Sequence, residues 1–266
     1  MTSAPRDAEP TSVTASPAAA VSADELSDAQ VLRDALAAAG SGGKRFRPRL
    51  VRSVHDLLGG DAGPAVDQVA DAVEMLHTAF IVHDDVIDGD DLRRGGLSTP
   101  GRFHADALRV GAPAAAARSF ATAGAILTGD LALGAAMRAV ASAPVSRERM
   151  LQLLDLFDHT LAVSAAGELA DVRLSLGSEE PTLQEALSVA EQKTAVYSFS
   201  LPMQCGAVLA DSPDQLVDGL GRIGRHLGLA YQLLDDLTAV FGTPAQTGRP
   251  GIAGDLREGK RTPLVV

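Results

Sequence analysis

The stretch Met75-Leu76-His77-Thr78-Ala79-Phe80-Ile81-Val82-His83-Asp84-Asp85-Val86-Ile87-Asp88 decides how this chain is read. An apolar run of helical character closes on three aspartates, and on a helix Asp84 and Asp88 stand one turn apart on one face. The pattern returns in Gly228-Leu229-Ala230-Tyr231-Gln232-Leu233-Leu234, which runs into Asp235-Asp236. Carboxylates repel one another and are costly to bury without a cation. A face that carries them offers hard oxygen ligands to Mg²⁺, which binds through one or two carboxylates and keeps waters and substrate phosphates. Two such faces opposed would hold a metal-bridged diphosphate between them. A single cluster is equally well the solvated end of a helix. Two clusters, each after an apolar run and accompanied by basic motifs, carry the metal reading. The two segments also look like a weak internal repeat, too short to establish duplication.

The 266 residues allow one large domain or two small ones. Hydrophobic residues make up 46%, enough for a substantial core, whereas aromatics make up 3% and Trp is absent. Ala, Leu and Val dominate, which favours packed helices over sheets. The net charge of −11 argues against the basic face that a nucleic-acid binder needs, so no nucleic-acid partner is expected. Cys205 is the single cysteine. It cannot close an internal disulfide and is compatible with a reducing cytosol, so a cytoplasmic location is expected. Residues 1 to 23, rich in Ala, Ser, Thr and Pro, read as a disordered tail without the features of a secretory signal. No uninterrupted apolar run reaches about 18 residues, so no membrane span is expected. The stretch Phe120 to Ala143 comes closest, but Asp130 and Arg138 interrupt it.

From residue 24 to 266 the pattern is one domain, nearly all helical, with helices expected over 24–39, 44–59, 64–90, 112–141, 146–177, 181–210 and 213–241. Ser27, Asp61, Ser146, Thr182 and Ser212 are candidate starts, and Gly59-Gly60 and Gly95-Gly96 are stops. No alternating strand pattern of useful length occurs. Long helices joined by short loops imply an all-α antiparallel bundle.

Basic motifs punctuate these helices. Gly42-Gly43-Lys44-Arg45-Phe46-Arg47-Pro48 combines a conformationally free glycine pair with three cations beside a helix N-terminus, where phosphate binds well. Alone it is also an ordinary exposed basic turn. Arg93-Arg94-Gly95-Gly96 follows the first acidic cluster, so its arginines either pair with the carboxylates or clamp phosphates. His77 lies two turns before Asp84 on roughly the same face, a position equally suited to a core histidine. Lys193-Thr194 falls in an apolar helix, where a lysine either snorkels or reaches into a charged cavity. Gly259-Lys260-Arg261-Thr262-Pro263 follows the second cluster.

In this order, the segments resemble the trans-isoprenyl diphosphate synthases, the polyprenyl synthetase family, from about Ala23 to Val266. The resemblance implies an all-helical fold around a deep central cavity, a homodimer, and Mg²⁺ as the metal. It implies short-chain synthesis by head-to-tail condensation of isopentenyl diphosphate with an allylic prenyl diphosphate. Lys44, Arg47, His77 and Arg94 would hold isopentenyl diphosphate. Asp84, Asp88 and Asp235 would ligate Mg²⁺, supported by Asp85 and Asp236. Arg93, Lys193, Thr194, Gln232 and Lys260 would contact the allylic diphosphate. Asp84, Asp85, Asp88, Asp235 and Lys193 are thus the catalytic candidates. Phe80, one turn before Asp84 on the same face, would floor the cavity beneath the growing chain, unless it is ordinary core packing. That floor suggests geranylgeranyl diphosphate as product, with farnesyl diphosphate next.

Three departures from the family pattern stand out. Ala239 replaces a third aspartate in the second cluster, for which Asp255 is a partial substitute. Glu168 stands where Gln is common. The chain stops at Val266, where the family continues through further helices, so a protein lacking its C-terminal helices is expected. Two other activities fit parts of the pattern: a class I terpene cyclase, which has no use for Lys44, Arg47 and His77, and a non-catalytic subunit of a hetero-oligomeric synthase, which Ala239 keeps open.

Overall fold

The computed structural model describes residues 23–61, 63–93, 95–176, 180–242, 262–264 and 266. Its elements are α1 (Ala23–Ala39), α2 (Phe46–Leu57), α3 (Pro64–Ile87), β1 (Leu92–Arg93), β2 (Gly96–Leu97), α4 (Thr99–Arg109), α5 (Ala114–Ala141), α6 (Arg147–Leu176), α7 (Leu183–Ala190), a π-helix (Glu191–Ser200), α8 (Leu201–Leu209) and α9 (Asp214–Phe241). The expected all-α bundle forms. The strands are a two-residue antiparallel ribbon, with Leu92 opposite Leu97 and Arg93 opposite Gly96, too short to show an alternating pattern. Of the expected tail, only Ala23 is described, and it opens α1.

Several helix ends follow the capping logic of the sequence. Thr182 and Glu185 form a reciprocal capping box at the start of α7. The Ser146 hydroxyl accepts from the Arg149 amide at 3.3 Å. Ser27, however, lies inside α1, and Gly63 and Pro213, rather than Asp61 and Ser212, take the N-cap positions of α3 and α9. Gly42 and Gly43 have φ of 81° and 75°, so the turn before α2 needs residues without a Cβ, and α2 begins at Phe46 rather than at Lys44.

Two elements depart further from the expectation. Helix α4 falls in the stretch between 90 and 112, where no helix was expected, and it carries Pro100-Gly101. In the first turn a proline is tolerated, and the Ser98 hydroxyl caps the helix by accepting from the Gly101 amide at 3.1 Å. The expected single helix 181–210 divides into α7, the π-helix and α8. Pro202 in the first turn of α8 lacks an N–H and crowds the carbonyl one turn back. The chain before it widens into π geometry, which frequently marks functional sites.

The core lies between α2, α3, α5, α6 and α8, around Val51, Val69, Leu76, Leu153, Phe157 and Leu201. Helices α3 and α6 each leave this core toward their C-terminal halves and line a cavity instead. Helix α9 lies along the π-helix at close range because glycines face it. A Cβ at Gly224 would come within 2.6 Å of the Ser200 Cα, and one at Gly228 within 2.5 Å of the Ala195 Cβ. This contact carries Tyr231, Gln232 and Asp235 over the cavity.

Among the described residues, α5 is long and apolar enough to cross a membrane by length and composition alone. It packs along α3 and α4, burying Ala117, Ala121, Ala125, Thr128, Ala132 and Ala136 at helical spacing. Phe120, Ile126, Leu127 and Leu131 remain exposed on its other side.

The glycine contact generates a test. Gly228→Ala should destabilise the protein by about 1–3 kcal/mol through overpacking against Ala195. Gly219→Ala on the same helix, where an added Cβ meets only Arg222 Nη2 at 3.8 Å, should be neutral or stabilising. Equal denaturant midpoints for the two variants would show that α9 does not press on the π-helix.

Candidate functional site

A cavity of about 880 Å³ opens between the C-terminal halves of α3 and α6, the π-helix, α7 and the last turns of α9. It gathers Arg47, His77, Phe80, Asp84, Arg93, Lys193, Gln232 and Asp235, eight of the residues singled out by sequence. Thr262 and Pro263, from the last basic segment, also line it. The two acidic clusters therefore do face one space, from α3 and from α9.

Other expected residues stand elsewhere. Lys44 is exposed in the turn before α2 and does not line the cavity. Thr194, next to Lys193, does not line the cavity. Asp85 is fully buried behind Arg93. Asp88 ends α3, its amide donating to the Asp84 carbonyl at 2.8 Å, and it is not a lining residue. Arg94, Asp255 and Lys260 lie outside the described residues. Among the described residues, no three carboxylates, histidines or cysteines form a closed metal cluster. Asp84, Asp88 and Asp235 are thus not a preassembled cage.

Carboxylates on an apolar wall repel one another and are stabilised by cationic partners. Arg93 does this for the first cluster: its Nη2 donates to Asp84 Oδ2 at 2.8 Å and its Nε donates to Asp85. The short β1–β2 ribbon folds Arg93 back over the end of α3 to reach them. Lys193 is held from three sides. Its Nζ donates to Glu168 Oε1 at 2.9 Å and Asp171 Oδ2 at 2.8 Å, and lies 3.2 Å from Asp84 Oδ1. Burial disfavours the Lys193 ammonium, but Asp84, Asp171 and Glu168 outweigh it and hold the group above the usual lysine range. Burial pushes the Glu168 carboxyl up against the pull of Lys193. On α9, Gln232 Nε2 donates to Asp236 Oδ1 at 2.8 Å, while Asp235 stays exposed.

A second set of contacts organises the deeper side. The Arg47 guanidinium lies 5.1 Å from the centre of the Tyr197 ring and donates through Nη2 to Ser198 Oγ at 2.7 Å. Its Nε is buried without a hydrogen-bond partner. His77 stacks on Tyr197 at 5.7 Å, and Phe80 packs against the same ring at 4.9 Å. Tyr197 therefore joins three expected residues and was itself not singled out. Its signal was its position four residues past Lys193 in one helix. Asp171, three residues past Glu168 on α6, was missed in the same way.

The family model for polyprenyl synthetase matches residues 29–266. The chain belongs to the polyprenyl synthetase family. Among its relatives, a geranylgeranyl diphosphate synthase of Mycobacterium tuberculosis is 36% identical over 245 residues, covering 88% of this chain and 60% of the relative. An octaprenyl diphosphate synthase of Escherichia coli is 31% identical over 221 residues, covering 83% and 60%. The chain thus spans about three fifths of the length of these curated relatives. A geranylgeranyl pyrophosphate synthase from Corynebacterium glutamicum, solved with isoprenyl diphosphate and magnesium, superposes with a TM-score of 0.81 at 31% identity. The match covers 92% of this chain and 69% of that one.

Asp85 gives a pH-dependent prediction. Burial raises its carboxyl from 3.8 to about 6, and Arg93 offsets this only in part. The folded state then binds the proton more tightly than the unfolded chain. The stability contributed by protonated Asp85 is complete below about pH 4 and is lost as pH rises through about 6. Asp85→Asn, neutral at every pH, should raise the metal-free melting temperature at pH 7.5, by up to about 3 kcal/mol in stability. The advantage should shrink toward pH 4.5. A variant less stable than the parent at pH 7.5 would show instead that the Arg93 pair outweighs burial.

Proposed function

We propose that this chain condenses isopentenyl diphosphate with an allylic prenyl diphosphate to give a short-chain all-trans prenyl diphosphate. The observation that carries this reading is a single apolar cavity into which both acidic clusters and the cations Arg47, Arg93 and Lys193 open together. One cluster alone would fit many helix ends. Two acidic walls with cations between them fit two diphosphates.

The donor set fits Mg²⁺. Asp84 and Asp235 present hard oxygens on opposite walls, and no cysteine or methionine lies among the described residues that line the cavity. An open, incomplete set is what an ion suits when it keeps waters and completes its shell with substrate phosphates. When bound, Mg²⁺ would supply Lewis-acid neutralisation of the allylic diphosphate as it leaves. The chain's own residues do the rest. Arg93 and Lys193 stand beside Asp84 with charge to offer a diphosphate. Arg47, with its buried Nε unsatisfied, and His77 form a second cationic region, suited to isopentenyl diphosphate. That second region has no use in a cyclase that takes one diphosphate. Phe80, Leu133 and Leu161 give the cavity apolar walls that keep water from an allylic cation developing at C1. No side chain is assigned as base; the departing diphosphate accepts the proton.

Phe80 lies one turn below Asp84 in α3, half-buried and packed on Tyr197. It is placed to floor the cavity, which supports geranylgeranyl diphosphate as product, then farnesyl diphosphate. The exposed apolar face of α5 supports a homodimer.

Labelled isopentenyl diphosphate with geranyl and farnesyl primers, Mg²⁺ and resolution of products by length tests the activity. Asp84→Ala should fold normally and lower turnover by about a thousandfold or more. Turnover near that of the parent would overturn the site. Phe80→Ala should lengthen the products, with folding checked separately because the half-buried ring also packs on Tyr197. An unchanged distribution from a folded, active variant would place the floor elsewhere.

A further inference from the structure

Lys193 has three donors, and three carboxylates surround its Nζ: Glu168 at 2.9 Å, Asp171 at 2.8 Å and Asp84 at 3.2 Å. In this arrangement no donor remains for a substrate oxygen. Two of the partners, Glu168 and Asp171, lie one turn apart on α6, and the third lies at the end of α3. Gly167 makes the first pairing possible. A Cβ at that position would come within 2.5 Å of the Lys193 amide nitrogen, so α6 presses directly on the π-helix backbone and brings Glu168 to the lysine. Nothing in the proposed reaction requires Glu168 to touch substrate.

We infer that Glu168 is a positioning residue: with Asp171 it retains Lys193 on the α6 side of the cavity, so that Asp84 can pass from the ammonium to a divalent cation. The inference rests on reading the cavity as a magnesium-diphosphate site. A divalent cation held by Asp84 would compete with the ammonium for the longest of its three contacts. With Glu168 present, an ammonium that gave up Asp84 would keep two acidic partners and not be left buried with one. The donor so released would be open to an anionic substrate group. Arg93, tied to Asp84 and Asp85, cannot replace it on this side.

Glu168→Gln keeps the size of the side chain and an oxygen to accept from Nζ, but removes the charge. The test uses calorimetric titration of the full chain with Mg²⁺ and inorganic diphosphate, which needs no turnover. The magnesium required for half-saturation should rise about two- to fivefold, the size of a partly exposed charge pair. At saturating magnesium, inorganic diphosphate should still bind more weakly, because Lys193 is no longer held for it. A mere loss of negative charge would act in the opposite direction and tighten binding of the anion. In turnover assays the KM for the allylic substrate should rise while that for isopentenyl diphosphate stays constant. Glu168→Asp, which keeps the charge but draws it back, should fall between Gln and the parent. The inference is overturned if Glu168→Gln binds magnesium diphosphate as tightly as the parent or more tightly, or if both substrates weaken alike. No magnesium-dependent diphosphate binding by the unaltered chain would instead remove the site reading and this inference together.

Discussion

Asp84 cannot be left as a lone charge on an apolar wall, and much of the site is arranged around that constraint. It ends a helix whose earlier turns are core, so its carboxylate emerges beside Phe80 and Ile81 with little water to solvate it. Arg93 and Lys193 meet it from two directions, one on the ribbon after α3 and one on the π-helix. Each cation is in turn fixed by further acids: Asp85 for Arg93, and Glu168 and Asp171 for Lys193. Three elements distant in sequence are tied together through one carboxylate. A divalent ion would compete with the ties that order the site without it. On the proposed reading, binding of that ion would be coupled to the positions of Arg93 and Lys193.

Packing makes this coupling geometric. Helices approach closely where glycine faces backbone, as at Gly167 against Lys193, Gly224 against Ser200 and Gly228 against Ala195. All three contacts fall on the π-helix. The widened turn presents Lys193 and Tyr197 to the cavity while its other residues seat against α6 and α9. An ordinary helix would rotate side chains by about 100° per residue and place this pair differently. The proline that begins α8 therefore acts on function at a distance, through the shape it imposes upstream.

The parts of the site that were legible in the sequence are those set by local rules. Asp84 follows an apolar run at helical spacing, and so does Asp235. Both face the cavity because the run that buries one side of a helix fixes where its last turn looks. His77 and Phe80 follow from the same register. The parts that were not legible depend on contacts between elements or on a rule overridden by context. Helix α4 was not among the expected helices; its Pro100 would stop a helix in its middle but is tolerated here in the first turn. The π-helix leaves no periodic signature of its own. Asp171 and Tyr197 are ordinary residues until α6 and the π-helix meet. Lys44 misled in the other direction: three cations within four residues promise an anion site, yet a turn of left-handed residues precedes α2, Arg47 lines the cavity and Lys44 is left in solvent.

Positions 168 and 239, where the resemblance leads one to expect Gln and Asp, bear on one charge balance. Position 239, one turn past Asp235 in α9, is Ala, whereas position 168 on α6 is Glu. Among the described residues the cavity still carries five carboxylates, Asp84, Glu168, Asp171, Asp235 and Asp236, against the cations Arg47, Arg93 and Lys193. Two of these acids, Glu168 and Asp171, stand on α6, where Lys193 already engages both. Acid on the α6 wall thus holds a lysine, whereas Asp235 on the α9 wall stays exposed.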